Sequence, residues 1–297
     1  METKNKNSFL TANDGGAAFL MMMSIYVLVS FLGQTIIYGI TGGKTYLWTV
    51  AVSACFSSLS MFAVIFYFKR AKNYTLTQMS VKKSKGRAYL LALILSLAMF
   101  FGLGFINTAF SNLIESWGLK ISSISFPLEN GLHLILFSIV FAVIPAVIEE
   151  LFFRGLMLNA KKGGKPIFVA VWIAVSFSLY HCSAAQFLYQ LVYGIALCLL
   201  AYYADSILPC VFAHFLNNFA VIILTYFRVS VNLFNPYFIV GGLILLALFF
   251  VITLLSVIKK QGAVQEKNQN TSTLNIPLEL FGWAICFILI IGNLFAV

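Results

Sequence analysis

An all-α, polytopic membrane bundle is the fold class that this sequence predicts, and three observations lead to it. Of the 297 residues, 61% are hydrophobic and 9% are charged, against roughly a quarter charged in an ordinary soluble domain. The mean hydropathy is +0.95. The apolar residues also fall in runs long enough to cross a bilayer as helices, which takes roughly 20 residues at about 1.5 Å rise each. None of these runs alternates apolar and polar residues over about ten positions, as a transmembrane strand would.

Nine runs qualify, so the sequence predicts about eight or nine helices around an intramembrane polar cavity. They lie near 17–40, 45–68, 88–112, 131–158, 167–184, 186–204, 207–227, 236–258 and 277–297. Residues 1–16 read as a polar tail. The first run is too long for a signal-peptide core and has no A-x-A site, so it reads as a helix. The first two runs carry few polar residues (Gln34, Ser53, Ser57, Ser58 and Ser60) and read as lipid-facing supports.

A basic loop, 69–87, leads to the third run. Trp117 marks its outer interface, and Pro127 punctuates the approach to the fourth. Gly163, Gly164 and Pro166 make a turn before the fifth run. Asp205 and Ser206 divide the sixth from the seventh, with Pro209 tolerated in the first helical turn. Asn232, Asn235 and Pro236 mark an outer loop. Residues 261–276, rich in Gln, Asn, Ser and Thr, form a polar linker to a last run that could be an appendage. The chain thus divides into the tail 1–16, supporting helices 17–129, a core 130–228 and C-terminal helices 229–297. There is no internal repeat and no pair of broken helices of the kind found in many transporters.

A net charge of +10 raises the question of nucleic acid, and the placement of the charges answers it. Lys69, Arg70, Lys72, Lys82, Lys83, Lys85 and Arg87 share one loop. Lys161, Lys162 and Lys165 follow the fourth run, and Lys259, Lys260 and Lys267 follow the eighth. If every run crosses, these loops lie on one side, the pattern of cytoplasmic loops. The opposite loops hold only Lys44, Lys120 and Arg228 beside Glu115 and Glu129. The basic balance is a topology signal compatible with anionic lipid, and no nucleic-acid partner is expected. It places Lys4, Lys6 and the N-terminus in the cytoplasm and the C-terminus outside. Five scattered cysteines (Cys55, Cys182, Cys198, Cys210 and Cys286) with no C-x-x-C spacing indicate neither a disulfide framework nor a zinc knuckle.

Against this background the stretch from Ile144 to Arg154 stands out. Glu149, Glu150 and Arg154 sit inside an apolar run, and ionisable groups inside a membrane are costly enough to be functional-site candidates by default. His181 and His214 fall in later runs. At 1.5 Å per residue, Glu149 lies roughly 18 Å from Lys161, His181 roughly 24 Å from Lys165 and His214 roughly 14 Å from Asp205, with Asn218 about 6 Å deeper. All four therefore reach mid-membrane depth. Residues four apart share a helix face. Glu150 can pair with Arg154 while Glu149 points elsewhere, His214 projects with Asn218, and Phe177 projects with His181. His133 reads as interfacial. Cys182 faces about 100° away from its neighbour His181. Gln186, Gln190 and Asn217 could line a cavity.

Taken together, Glu149-Glu150-x-x-x-Arg154, Phe177-x-x-x-His181 and His214-x-x-x-Asn218 resemble, in order and spacing, the three motifs of the CAAX prenyl endopeptidase and bacteriocin-processing (CPBP, or Abi) family of intramembrane proteases. The stretch from Asp205 to Asn218 resembles that family's third motif region, and the likeness covers about residues 130–226. The resemblance implies a glutamate-dependent peptide hydrolase with its site inside the bilayer. Glu149 would activate a water held with the help of His181, and His214 and Asn218 would donate to the oxyanion. Glu150, Arg154 and Phe177 would be structural supports. A substrate would be a membrane-associated peptide or protein, with or without a lipid, and no cofactor is implied.

Other readings stay open on the residues alone. Glu149, His181 and His214 plus a water could form a catalytic zinc site, although no H-E-x-x-H motif demands one. The carboxylates and Arg154 could be a structural ion-pair cluster. The same bundle could serve as a scaffold or bacteriocin-immunity protein, or as a proton-relaying transporter.

Overall fold

A computed structural model of the chain describes residues 10–119, 121, 128–265 and 277–295, with the side chains of 261–265 and 277 outside that description. Lys4, Lys6, Lys120, Pro127, Lys267 and most of the tail and polar linker therefore lie outside the described residues. Among the described residues the chain is helical, with no strand. Its nine helices are α1 (Ala12–Thr41), α2 (Leu47–Ala71), α3 (Gly86–Ser116), α4 (Gly131–Ala160), α5 (Pro166–Tyr180), α6 (Phe187–Ala204), α7 (Leu208–Tyr226), α8 (Pro236–Gln265) and α9 (Pro277–Phe295). Eight are long and apolar enough to cross a membrane, and the chain is a multi-pass membrane protein.

The exception is α5, where the apolar run misleads. Fifteen residues rise only about 22 Å, short of a hydrocarbon layer of about 30 Å. The run stays apolar through Cys182, but Cys182 adopts φ +49°, a left-handed conformation that ends a helix. The chain turns there, and α6 packs back along α5 as an antiparallel hairpin. His181 is thus the residue that closes α5, where the apolar run 167–184 would carry the helix three residues past it. A hairpin returns to the face it left whether or not its turn reaches the far side, so the charge parity of the loops is unaffected.

Two of the long helices change register. α3 carries a π-helical stretch at Ala98–Leu103, and α4 carries two, at Ile139–Val143 and Leu151–Met157. Where a π stretch disturbs the backbone ladder, side chains make up the lost bonds. Asn159 Nδ2 donates to the carbonyls of Arg154 (3.1 Å) and Gly155 (2.7 Å). Beside the π stretch of α3 the backbone of α8 comes very close. A Cβ on Gly242 would lie 2.2 Å from the Gly102 nitrogen, so only glycine fits there.

The basic loops gather at one end of the bundle, where they tie helix ends together. Lys72 pairs with Asp14 (3.2 Å) and Lys82 with Asp205. Lys162 donates to Ser80 (3.2 Å), and the Ile207 amide donates to the Ser80 carbonyl (3.1 Å). Lys260 caps the carbonyls of Tyr202 and Tyr203 at 2.8 and 3.0 Å. Lys161 is not a solvated edge charge. It is fully buried and pairs with the equally buried Glu279 at 2.9 Å.

That pair brings in the last helix, which is docked rather than appended. Glu279 also accepts from Ser176 (2.8 Å), whose oxygen accepts from Trp283 Nε1 (2.9 Å). At the other end of α9, Asn293 Nδ2 donates to the Cys182 carbonyl at 3.0 Å. α9 is therefore tied to the end of α4 through Lys161 and to the later part of α5 and the turn after it through Ser176 and Cys182.

Removing one member of a buried ion pair strands the other charge, at about 3–5 kcal/mol. Lys161→Met is accordingly expected to lower the thermal midpoint of the detergent-solubilised protein sharply. The Lys161→Met/Glu279→Gln double variant is expected to regain most of the loss. A single variant as stable as wild type would show that the pair does not hold α9.

Candidate active site

The site forms where the middle of α4 meets the end of α5 and the middle of α7. Glu150 and Arg154, four residues apart, pair along α4 as the spacing predicts, with Nη1 to Oε1 at 2.8 Å and both side chains fully buried. Arg154 Nη2 donates to the Gly194 carbonyl on α6 (3.1 Å), and its guanidinium lies 4.5 Å from the centroid of the Phe177 ring. This gives Phe177 a definite task, a π face over a buried cation. Gly194 is needed as glycine because a Cβ there would lie 2.9 Å from Ala174 Cβ.

His214 on α7 completes the chain. Its Nδ1 lies 2.9 Å from the same Glu150 Oε1. A carboxylate can only accept, so Nδ1 carries the proton and Nε2 is the nitrogen turned toward Glu149, 3.9 Å from Oε2. The other Glu149 oxygen accepts from the Tyr180 hydroxyl at 3.2 Å. Glu149 is 5% exposed and His214 3%. Arg154, Glu150 and His214 are thus joined by hydrogen bonds across α4 and α7, with Glu149 facing the open nitrogen of His214.

His181 stands apart from this line. Its Nδ1 donates to the Phe177 carbonyl at 2.8 Å, satisfying one of the carbonyls that α5 leaves open at its end. Its ring packs on Phe177 and Tyr180. It makes no hydrogen bond or ion pair to Glu149 or Glu150, so the imidazole next to the glutamates is that of His214. Among the described residues no group of three His, Cys, Asp or Glu side chains is arranged to hold a metal ion, and Glu149, His181 and His214 form no such set.

Asn218 shares the α7 face with His214 but reaches a different target. Its Nδ2 donates to the Phe141 carbonyl at 3.2 Å. Asn218 thereby links α7 to the π stretch of α4. Asn217, its neighbour, accepts from the Tyr189 hydroxyl at 2.6 Å. Tyr180 is the contact that sequence reasoning misses. Its position beside His181 is the only available signal, and nothing in the spacing points it at Glu149.

The geometry defines a class: a helical membrane protein with a buried glutamate and imidazole facing each other, braced by an arginine–glutamate pair. Residues 131–220 match the family model described as Rce1-like, type II CAAX prenyl endopeptidase. The likeness drawn from the three motifs is borne out over that segment, which carries every residue of the site. Neither a curated protein nor a solved structure matches the chain.

The Asn218–Phe141 hydrogen bond ties α7 to α4, and losing one such bond costs about 0.5–1.5 kcal/mol. Asn218→Ala is accordingly expected to lower the thermal midpoint of the detergent-solubilised protein. An unchanged midpoint would show that this bond does not hold the two helices together.

Proposed function

We propose that this protein is an intramembrane endopeptidase of the CAAX type. In this reading a water activated by Glu149 hydrolyses a peptide bond of a membrane-associated peptide or protein. The observation that carries the proposal is the 3.9 Å separation of Glu149 Oε2 from His214 Nε2, both buried inside the helix bundle. That gap is too long for a hydrogen bond, yet one water about 2.8 Å from each atom spans it comfortably. The Rce1-like match over the same helices supports the reaction class.

The chemistry then divides among the residues. Glu149 takes a proton as the water oxygen attacks the carbonyl carbon, and Tyr180 orients the carboxylate. The carbonyl oxygen becomes an oxyanion. His214, held at Nδ1 by Glu150, turns Nε2 toward the reacting centre and donates to the oxyanion from there. Arg154 pairs with Glu150 and fixes it in place. The second N–H of Asn218 Nδ2 and the Nε2 of His181 remain for the substrate. The proton held by Glu149 passes to the departing amine as the C–N bond breaks. Residues 130–228 form the catalytic core in this reading, and no metal takes part. The basic end of the bundle faces the cytoplasm, following the positive-inside rule.

Reconstituted protein incubated with membrane proteins is expected to yield cleavages, mapped by mass spectrometry, that Glu149→Gln lacks. Loss of the general base corresponds to a fall of about 10²–10⁴-fold. Identical maps for wild type and Glu149→Gln would end the proposal. Activity is expected to survive exhaustive chelation, and its loss with rescue by zinc would replace the mechanism with a metal-dependent one.

A further inference from the structure

The first two helices do more than face lipid. Thr49, Ser53 and Ser57 recur every four residues along α2 and so form one polar stripe. Gln34 and Thr41 share a face of α1 by the same geometry, with Thr35 beside Gln34. The two stripes face each other across a cavity of about 1040 Å³, which opens at the α1–α2 turn around Lys44. Gln34 Nε2 donates to Ser53 Oγ across it at 3.0 Å. Polar side chains have no reason to be placed there for lipid, and the volume is at the upper end of ordinary ligand sites, about 300–1,000 Å³.

The walls carry both polar and apolar surface. The hydroxyls of Thr35, Thr41 and Thr49 donate to backbone carbonyls at 2.7–2.8 Å, and their remaining lone pairs can accept. Ser53, which accepts from Gln34, keeps its own O–H, and Gln34 keeps a second N–H and its carbonyl oxygen. Tyr26, Ile37, Tyr38, Val50, Ala54 and Phe141 supply apolar surface beside them. Donors, acceptors and apolar patches together suit the backbone and side chains of an extended peptide, whereas an acyl or isoprenoid chain would leave the polar groups unmatched. The cavity also leads somewhere. Ser57 lies beside the Tyr180 hydroxyl, which donates to Glu149. Phe141, whose carbonyl Asn218 holds, forms part of its wall.

We propose that the groove between α1 and α2 is the peptide-binding channel of the site. It takes an extended, uncharged segment from the Lys44 end and delivers it past Ser57 and Tyr180 to Glu149. This rests on the endopeptidase reading for its last step, but the groove can be tested without turnover.

The test uses full-length protein carrying Glu149→Gln and Cys55→Ala in liposomes, with Ser53→Cys added and labelled by a charged, membrane-impermeant thiol reagent. Leu59→Cys, on the exposed lipid side of α2, is the control. Ser53→Cys is expected to label while Leu59→Cys does not. A peptide carrying a cleavage sequence mapped with the wild type is expected to suppress the labelling about tenfold at ten times its Kd. Should the wild type cleave nothing, an end-blocked ten-residue Ala/Ser peptide serves as the probe. An unlabelled Ser53→Cys, labelling that no peptide reduces, or protection by palmitate in place of peptide would each overturn the proposal. The endopeptidase reading fails separately, through identical cleavage maps for wild type and Glu149→Gln.

Discussion

A guanidinium with no access to water has to be surrounded by partners, and much of the interior follows from how Arg154 meets that demand. Its charge is balanced by Glu150, its second nitrogen needs the Gly194 carbonyl, and its face lies against Phe177. Each partner sits on a different element or at a different depth. Satisfying the cation therefore sets the distance between α5 and α6 and the rotation of α4. His214 is drawn to the same carboxylate oxygen, which brings α7 in. Glu149, next in sequence but about 100° around the helix, is left on the side that faces His214 Nε2 and Tyr180. The facing pair of Glu149 and His214 is in effect what remains once the buried positive charge has been paired.

The sequence is informative where chemistry and helix periodicity coincide. The class of protein follows from composition and run length. The pairing of Glu150 with Arg154 and the different direction of Glu149 follow from four-residue spacing. What cannot be read is set by the backbone. Nothing in the composition of Pro166–Ser183 marks the left-handed Cys182 that stops α5, so the apolar run carries the helix past His181. The π stretches of α4 shift its faces without any proline or glycine at Leu151–Met157 beyond Gly155. Spacing groups Asn218 with His214, whereas its partner is the Phe141 carbonyl in the π stretch of another helix. The polar stripe of α2 is visible as Thr49, Ser53 and Ser57, but its significance depends on a facing stripe in α1.

The match to the Rce1-like model spans 131–220 and so ends before α8 and begins after α3. The contacts of the bundle do not respect those limits. α3 packs on α7 and α8, α2 packs on the Ile144–Glu150 stretch, and α9 packs on α1 and α5. The helices outside the matched segment supply the rigid surroundings that a site of fixed hydrogen-bond distances requires.

One consequence concerns how the molecule is made. Lys161 enters the bilayer region early in synthesis, and its counter-charge, Glu279, emerges from the ribosome only after all the intervening helices. During that interval the ammonium must stay near the headgroups, and the end of α4 with it. The last helix thus acts as a latch: its arrival neutralises the lysine, holds the later part of α5 and secures the turn beyond His181.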